Sequence, residues 1–139
     1  SMAKLMAEAL SGMNVKRAFV VHGVNGWDEP TPAAEFELFD VRPNQIEHMI
    51  RDPKDFGINR CGEDDLKGGD ANQNAEALMR VFSKEDQGPH RDSLLLGTGL
   101  ALEVSGVVSN LKEGIEQAST AIDEGKASDM VQSLSGLNE

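Results

Sequence analysis

Tyrosine is absent from this chain, tryptophan and cysteine occur once each, and thirteen basic residues stand against twenty-four acidic ones. Each shortage removes a class of function. A single cysteine, Cys61, excludes an intrachain disulfide and any CxxC or thiolate zinc site. It points to a reducing compartment, so a cytoplasmic location is expected. A net charge of −11 with scattered Lys and Arg argues against nucleic acid or an anionic membrane as a partner, because both are held by clustered cations. With Trp27 alone and no tyrosine, there is no aromatic platform for stacking bases. Nothing approaches the run of roughly 18 apolar residues that a membrane span requires, and the first residues lack the pattern of a secretory signal. The expectation is a soluble chain that is not exported.

What is present reads as one mixed α/β unit of 139 residues, long enough to bury about two thirds of its unfolded surface. Residues 3–13 place Leu5, Met6, Ala9, Leu10 and Met13 at helical spacing before a stop near Gly12. "RAFVV" (17–21) is an apolar run without alternation, which suits a strand covered on both faces. "EFELFDV" (35–41) alternates, "QIEHMI" (45–50) puts Ile46, His48 and Ile50 on one face, and Pro43-Asn44 between them predicts a hairpin.

The second half changes character. Residues 52–70 are rich in turn formers and end at Asp70, which with Gln73 predicts a capped helix carrying Ala71, Ala75, Leu78, Met79 and Phe82. Pro89 opens a very apolar helix ending near Gly106, expected to be buried at the centre. Asn110 and Glu113 cap another, with Leu111, Ile115, Ala118 and Ile122 inward, and a last helix holds Met130, Val131, Leu134 and Leu137. The expected fold class is therefore a partial α/β domain with a few strands early, one buried strand plus a hairpin, and a helical second half. Residues 1–139 are expected to form one portion of a domain, with no second domain among them.

The candidate chemistry sits in "HGVNGWDEPTP" (22–32). Asp28 and Glu29 follow the buried strand, and ligands of open α/β sheets gather beyond the carboxyl ends of strands. Two adjacent carboxylates can ligate Mg²⁺ while leaving positions for water and phosphate oxygens. The same pair also reads as a solvated acidic turn stiffened by Pro30 and Pro32. His22 reads as a packed histidine without a catalytic role, and His48 and His90 stand alone. "KGGDANQN" (67–74) could cradle an anion, but Asp70 occupies the cap and would repel one, so its reading is structural. "GTG" (97–99) lies inside the apolar helix, where close helix packing accounts for the glycines. No GxSxG, HExxH, P-loop or complete GxGxxG is present.

Taken together, "VVHGVNGWDE" (20–29), "DPKDFGI" (52–58), "LKGGDANQNA" (66–75), "GPHRDSLLL" (88–96) and "AIDEGKA" (121–127) resemble, in order and spacing, the C-terminal half of anthranilate phosphoribosyltransferases. The resemblance implies a Mg²⁺-dependent glycosyltransferase acting in tryptophan biosynthesis. Its substrates would be anthranilate and phosphoribosyl pyrophosphate, its products N-phosphoribosylanthranilate and pyrophosphate, and Asp28 and Glu29 its metal ligands. The family's glycine-rich GTGGD-type loop, KHGN-type segment and small helical domain have no counterpart here, so catalytic residues are not assigned and the chain alone is expected to be inactive. Self-association or a homo-oligomer is expected from an incompletely covered sheet. The alternatives are a transferase related to pyrimidine nucleoside phosphorylases and a non-enzymatic binding relative.

Overall fold

The computed structural model describes residues 1–135, so the expectation for Leu137 lies outside the described residues. A helix, α1 (Met2–Ser11), leads into a three-stranded antiparallel sheet of β1 (Ala18–Gly23), β2 (Phe36–Arg42) and β3 (Gln45–Arg51) in the order β1-β2-β3. Two short 3₁₀ turns, Pro53–Phe56 and Glu63–Leu66, lead to four helices: α2 (Ala71–Phe82), α3 (Pro89–Ser105), α4 (Leu111–Asp123) and α5 (Lys126–Ser135). Strands early and helices late is the order expected from the sequence. The hairpin turns at Asn44, whose φ of 58° is left-handed, a conformation asparagine tolerates better than most residues.

β2 is the structural axis because its alternation feeds two cores. Phe36 and Leu38 face α3 and α4, joined by Ile58, Val81, Leu95, Leu96, Leu100, Leu111 and Ile115. Phe39 and Val41 face α1, where Val20, Ala3 and Ala7 close a smaller cluster. β1 is thus covered on both faces, Phe19 and Val21 toward the helices and Val20 toward α1, as its lack of alternation suggested.

α1 buries a different face from the one its apolar spacing suggested, and α2 and α5 bury little. α1 turns Ala3 and Ala7 inward and leaves Leu5 and Met6 exposed, because two small residues let its backbone sit close on Phe39 and Val41, and Met13 beyond its end is exposed too. Of α2 only Val81 is fully buried, and Met79 is exposed. α5 leaves Met130 and Leu134 exposed. α3 is central only in part: Leu95, Leu96, Gly99 and Leu100 are buried, whereas Gly97, Thr98 and Ala101 form an exposed stripe.

Gly99 and Gly114 let α3 and α4 cross in near contact. A Cβ on Gly114 would lie 2.6 Å from the Gly99 carbonyl oxygen, and one on Gly99 would lie 2.9 Å from Leu111 Cδ1. Packing thus accounts for the second glycine of "GTG". It does not account for the first, since a Cβ on Gly97 would meet nothing within 4 Å.

A paired charge network joins sheet and helix. Arg17 donates to both Asp40 carboxylate oxygens (3.0 and 2.7 Å) and to the Glu103 carbonyl (2.8 Å), while Arg51 donates to both Glu103 carboxylate oxygens. Both guanidinium groups lie over the Phe19 ring, at 4.7 and 5.9 Å from its centroid.

Candidate functional site

β1 ends at Gly23, and the loop that follows is closed at its mouth by the chain itself. Gly23 N–H donates to the Trp27 carbonyl (2.8 Å), Gly26 N–H donates to the Gly23 carbonyl (2.9 Å), and Val24 N–H donates to the Glu35 carbonyl (3.0 Å). The two flanking glycines have separate causes. Gly26 adopts φ +95°, a left-handed conformation that side chains avoid, whereas a Cβ on Gly23 would lie 2.8 Å from Asn25 Oδ1 and 3.3 Å from Trp27.

Two further anchors hold the loop against the rest of the molecule. At its far end Thr31 and Pro32 are buried, and Arg60 reaches the Pro32 carbonyl (3.5 Å) while pairing with Asp52 (2.7 Å). At its near end Asn25 Nδ2 donates to Glu63 Oε1 (2.8 Å). Arg60 and Glu63 belong to no motif, and although Asn25 lies within "HGVNGWDE", nothing in the sequence singled out its side chain. Their partners lie 8 to 38 residues away and are brought close only by the fold.

Asp28 and Glu29 lie between these anchors. Both are exposed, and neither carboxylate enters a hydrogen bond or ion pair among the described residues. No third His, Cys, Asp or Glu joins them in a metal-binding group there either. Two free hard-oxygen ligands on a backbone held at both ends fit a cation such as Mg²⁺, which commonly keeps one or two carboxylates and fills its other positions with water and phosphate oxygens.

The glycine loop before α2 behaves as a cap. Asp70 accepts from Gln73 N–H and Gln73 Oε1 accepts from Asp70 N–H, both at 2.9 Å, while Asn74 Oδ1 accepts from Gly69 N–H at 2.8 Å. Its Gly69 and Asp70 amides are thus satisfied internally. Beyond it a cleft of about 590 Å³ separates α2 from α3, lined by Gly68, Leu78, Arg80, Val81, His90 and Leu94.

His90 is not alone there: its Nδ1 lies 3.0 Å from Asp86 Oδ2, four residues earlier and across the start of α3. Asp86 also accepts the Gly88 N–H at 2.8 Å, and this bond first, then His90, holds its carboxyl below the usual carboxylate range. Burial pushes the half-buried Asp92 carboxyl upward, and it raises the Cys61 thiol as well.

Residues 1–128 match the family described as "Glycosyl transferase family, a/b domain". Among curated relatives, the anthranilate phosphoribosyltransferase of Desulforamulus reducens is 39% identical over 126 residues, covering 91% of this chain and 36% of the relative. That of Geotalea uraniireducens is 40% identical over 129 residues, covering 93% of this chain and 37% of the relative. Among solved structures, anthranilate phosphoribosyltransferase from Thermus thermophilus superposes with a TM-score of 0.81 at 30% identity, covering 91% of this chain and 37% of that one. The Saccharomyces cerevisiae enzyme in complex with PRPP and Mg gives 0.84 at 25% identity, covering 94% of this chain and 38% of that one. The chain therefore spans well under half the length of the relatives it matches, and it belongs to the glycosyl transferase family that this a/b domain defines, with anthranilate phosphoribosyltransferases as its matched relatives.

Proposed function

We propose that residues 1–139 are the C-terminal portion of a Mg²⁺-dependent phosphoribosyltransferase that joins anthranilate to phosphoribosyl pyrophosphate. The observation that carries this reading is the acid pair, two unengaged carboxylates on a loop pinned at both ends in a chain of this family. The relatives are anthranilate phosphoribosyltransferases, and one solved relative is described with PRPP and Mg, which supports the choice of substrate and of cation.

In the reaction proposed, the amine nitrogen of anthranilate bonds to ribose C1 as the bond from C1 to the pyrophosphate oxygen breaks. The electron pair leaves with pyrophosphate, and the amine loses a proton. Mg²⁺, when bound, supplies positive charge beside the leaving phosphates. This chain contributes Asp28 and Glu29 as its ligands, and the pinned loop keeps both oxygen sets facing outward without reorganisation. A cation is needed on electrostatic grounds. A chain of net charge −11 repels a polyphosphate, and "HGVNGWDE" has no Lys or Arg to offset that.

The test is calorimetric titration of phosphoribosyl pyrophosphate into this chain, with and without Mg²⁺, beside a variant carrying Asp28→Asn and Glu29→Gln. Heat that requires Mg²⁺ and vanishes in the variant is expected, and equal binding by the variant overturns the assignment of the pair. By itself the chain is expected to consume no anthranilate, because it holds no group assigned to the acceptor. Steady turnover by the isolated chain contradicts that expectation.

A further inference from the structure

We infer that Glu63, acting through Asn25, is a positioning residue for the acid pair, and that the turn at Glu63–Leu66 serves as a strut for the loop from Gly23 to Pro32. The inference rests on the reading of Asp28 and Glu29 as cation ligands and adds the device that holds them.

The argument starts from three consecutive acids with three different jobs. Asp64 pairs with Lys67 at 2.6 Å, and Asp65 turns back to accept the Gly62 N–H at 2.8 Å. Glu63 alone reaches across the molecule, accepting from Asn25 Nδ2 at 2.8 Å over a separation of 38 residues. An acidic run placed only for solvation has no need of such a link.

The position of Asn25 gives the link its leverage. Asn25 is the residue between Val24, whose N–H closes the loop mouth on Glu35, and Gly26, whose left-handed φ starts the turn toward Trp27 and Asp28. Glycine supplies the turn but no stiffness, since it loses more conformational freedom on ordering than any other residue. A side-chain bond from the residue before it restrains that turn from outside. With Arg60 3.5 Å from the Pro32 carbonyl at the far end, the segment 27–30 lies between this contact and the surface bond of Asn25 to Glu63.

A positioning role and a merely electrostatic one predict different things. If Glu63 acts by its charge, drawing a cation toward the loop, then Glu63→Gln and Glu63→Ala weaken cation binding alike. If it acts by accepting the Asn25 bond, glutamine keeps an acceptor oxygen in the same place and alanine does not.

The experiment uses this chain with Mn²⁺ as the probe, free Mn²⁺ being read by electron paramagnetic resonance. Backbone amide exchange over residues 24–29 is measured separately without metal. Glu63→Ala and Asn25→Ala are expected to weaken Mn²⁺ roughly fivefold each, with no further loss in the double variant, while Glu63→Gln stays near the parent. Amide exchange is expected to quicken in both alanine variants and to remain at the parental rate in Glu63→Gln. Additive losses, or a glutamine variant as weak as alanine, overturn the positioning role. If the parent binds Mn²⁺ no better than the Asp28→Asn/Glu29→Gln variant, the cation reading fails. The exchange rates still judge the strut, and unchanged rates in the alanine variants overturn it.

Discussion

Arg51 and Glu103 meet fork to fork, Nη1 to Oε2 at 2.7 Å and Nη2 to Oε1 at 3.0 Å, although 52 residues separate them. Glu103 is only 4% exposed, and while Arg51 takes its carboxylate, Arg17 donates to its backbone carbonyl. The pair ties the edge strand β3 to the last turn of α3.

Removing Glu103 leaves Arg51, whose side chain is 16% exposed, unpaired in a largely covered setting, which is costlier than losing both. Glu103→Ala is expected to destabilise the chain by about 3–5 kcal/mol in urea unfolding. A combined Arg51→Met and Glu103→Leu variant is expected to recover a large share of that loss. A single substitution costing no more than a surface change contradicts this account.

The α3–α4 crossing separates two glycines that look equivalent in sequence. Gly114→Ala forces a methyl onto the Gly99 backbone and is expected to cost about 1–3 kcal/mol or more. Gly97→Ala meets open space inside a helix and is expected to stabilise by about 0.5–1 kcal/mol. Thermal unfolding of the two variants should move Tm in opposite directions, and a shared sign refutes the packing argument.

Asp92 and Asp86 give opposite pH signatures. For Asp92, burial raises the folded-state pKa, so ionisation favours the unfolded chain and stability falls as pH rises through that pKa. Asp92→Asn is expected to raise Tm at pH 7, with the gain disappearing below the carboxylate range. For Asp86 the folded pKa is lowered, so its contribution is present above the unfolded pKa and is lost as pH falls through the folded one. Asp86→Asn is expected to lower Tm at pH 7. Unfolding curves for both variants across acidic to neutral pH check the two signs together.

The exposed stripe of Gly97, Thr98 and Ala101 lies along the middle of α3, and β1 is an edge strand of the three-stranded sheet. Apolar faces and open strand edges favour association. Light scattering is expected to show self-association of this chain that weakens in Ala101→Glu, a change that adds charge without entering the core. A stable monomer with a sharp thermal transition contradicts it.

Much of this molecule was legible along the chain because its determinants are local. The Pro43-Asn44 turn, the Asp70–Gln73 capping box, the Asn110 cap and the left-handed stop at Gly106 each act within a few residues, and each lies where its residues indicate. The acid pair was legible too, since adjacency needs no fold. Which helix faces turn inward was decided elsewhere: Ala3 and Ala7 outrank Leu5 and Met6 because the surface α1 meets admits a close backbone. That preference depends on Phe39 and Val41, residues far along the chain.

By itself, then, the sequence determined the order of elements, their caps and turns, and the placing of two carboxylates after β1, all products of short-range sterics and hydrogen bonding. Tertiary structure alone decided that Arg51 meets Glu103, that Gly99 and not Gly97 needs to be glycine, and that Arg60 and Glu63 brace the acidic loop. These contacts join residues whose separation along the chain carries no periodic signal. They arise only when burial of the two faces of β2 brings distant segments together.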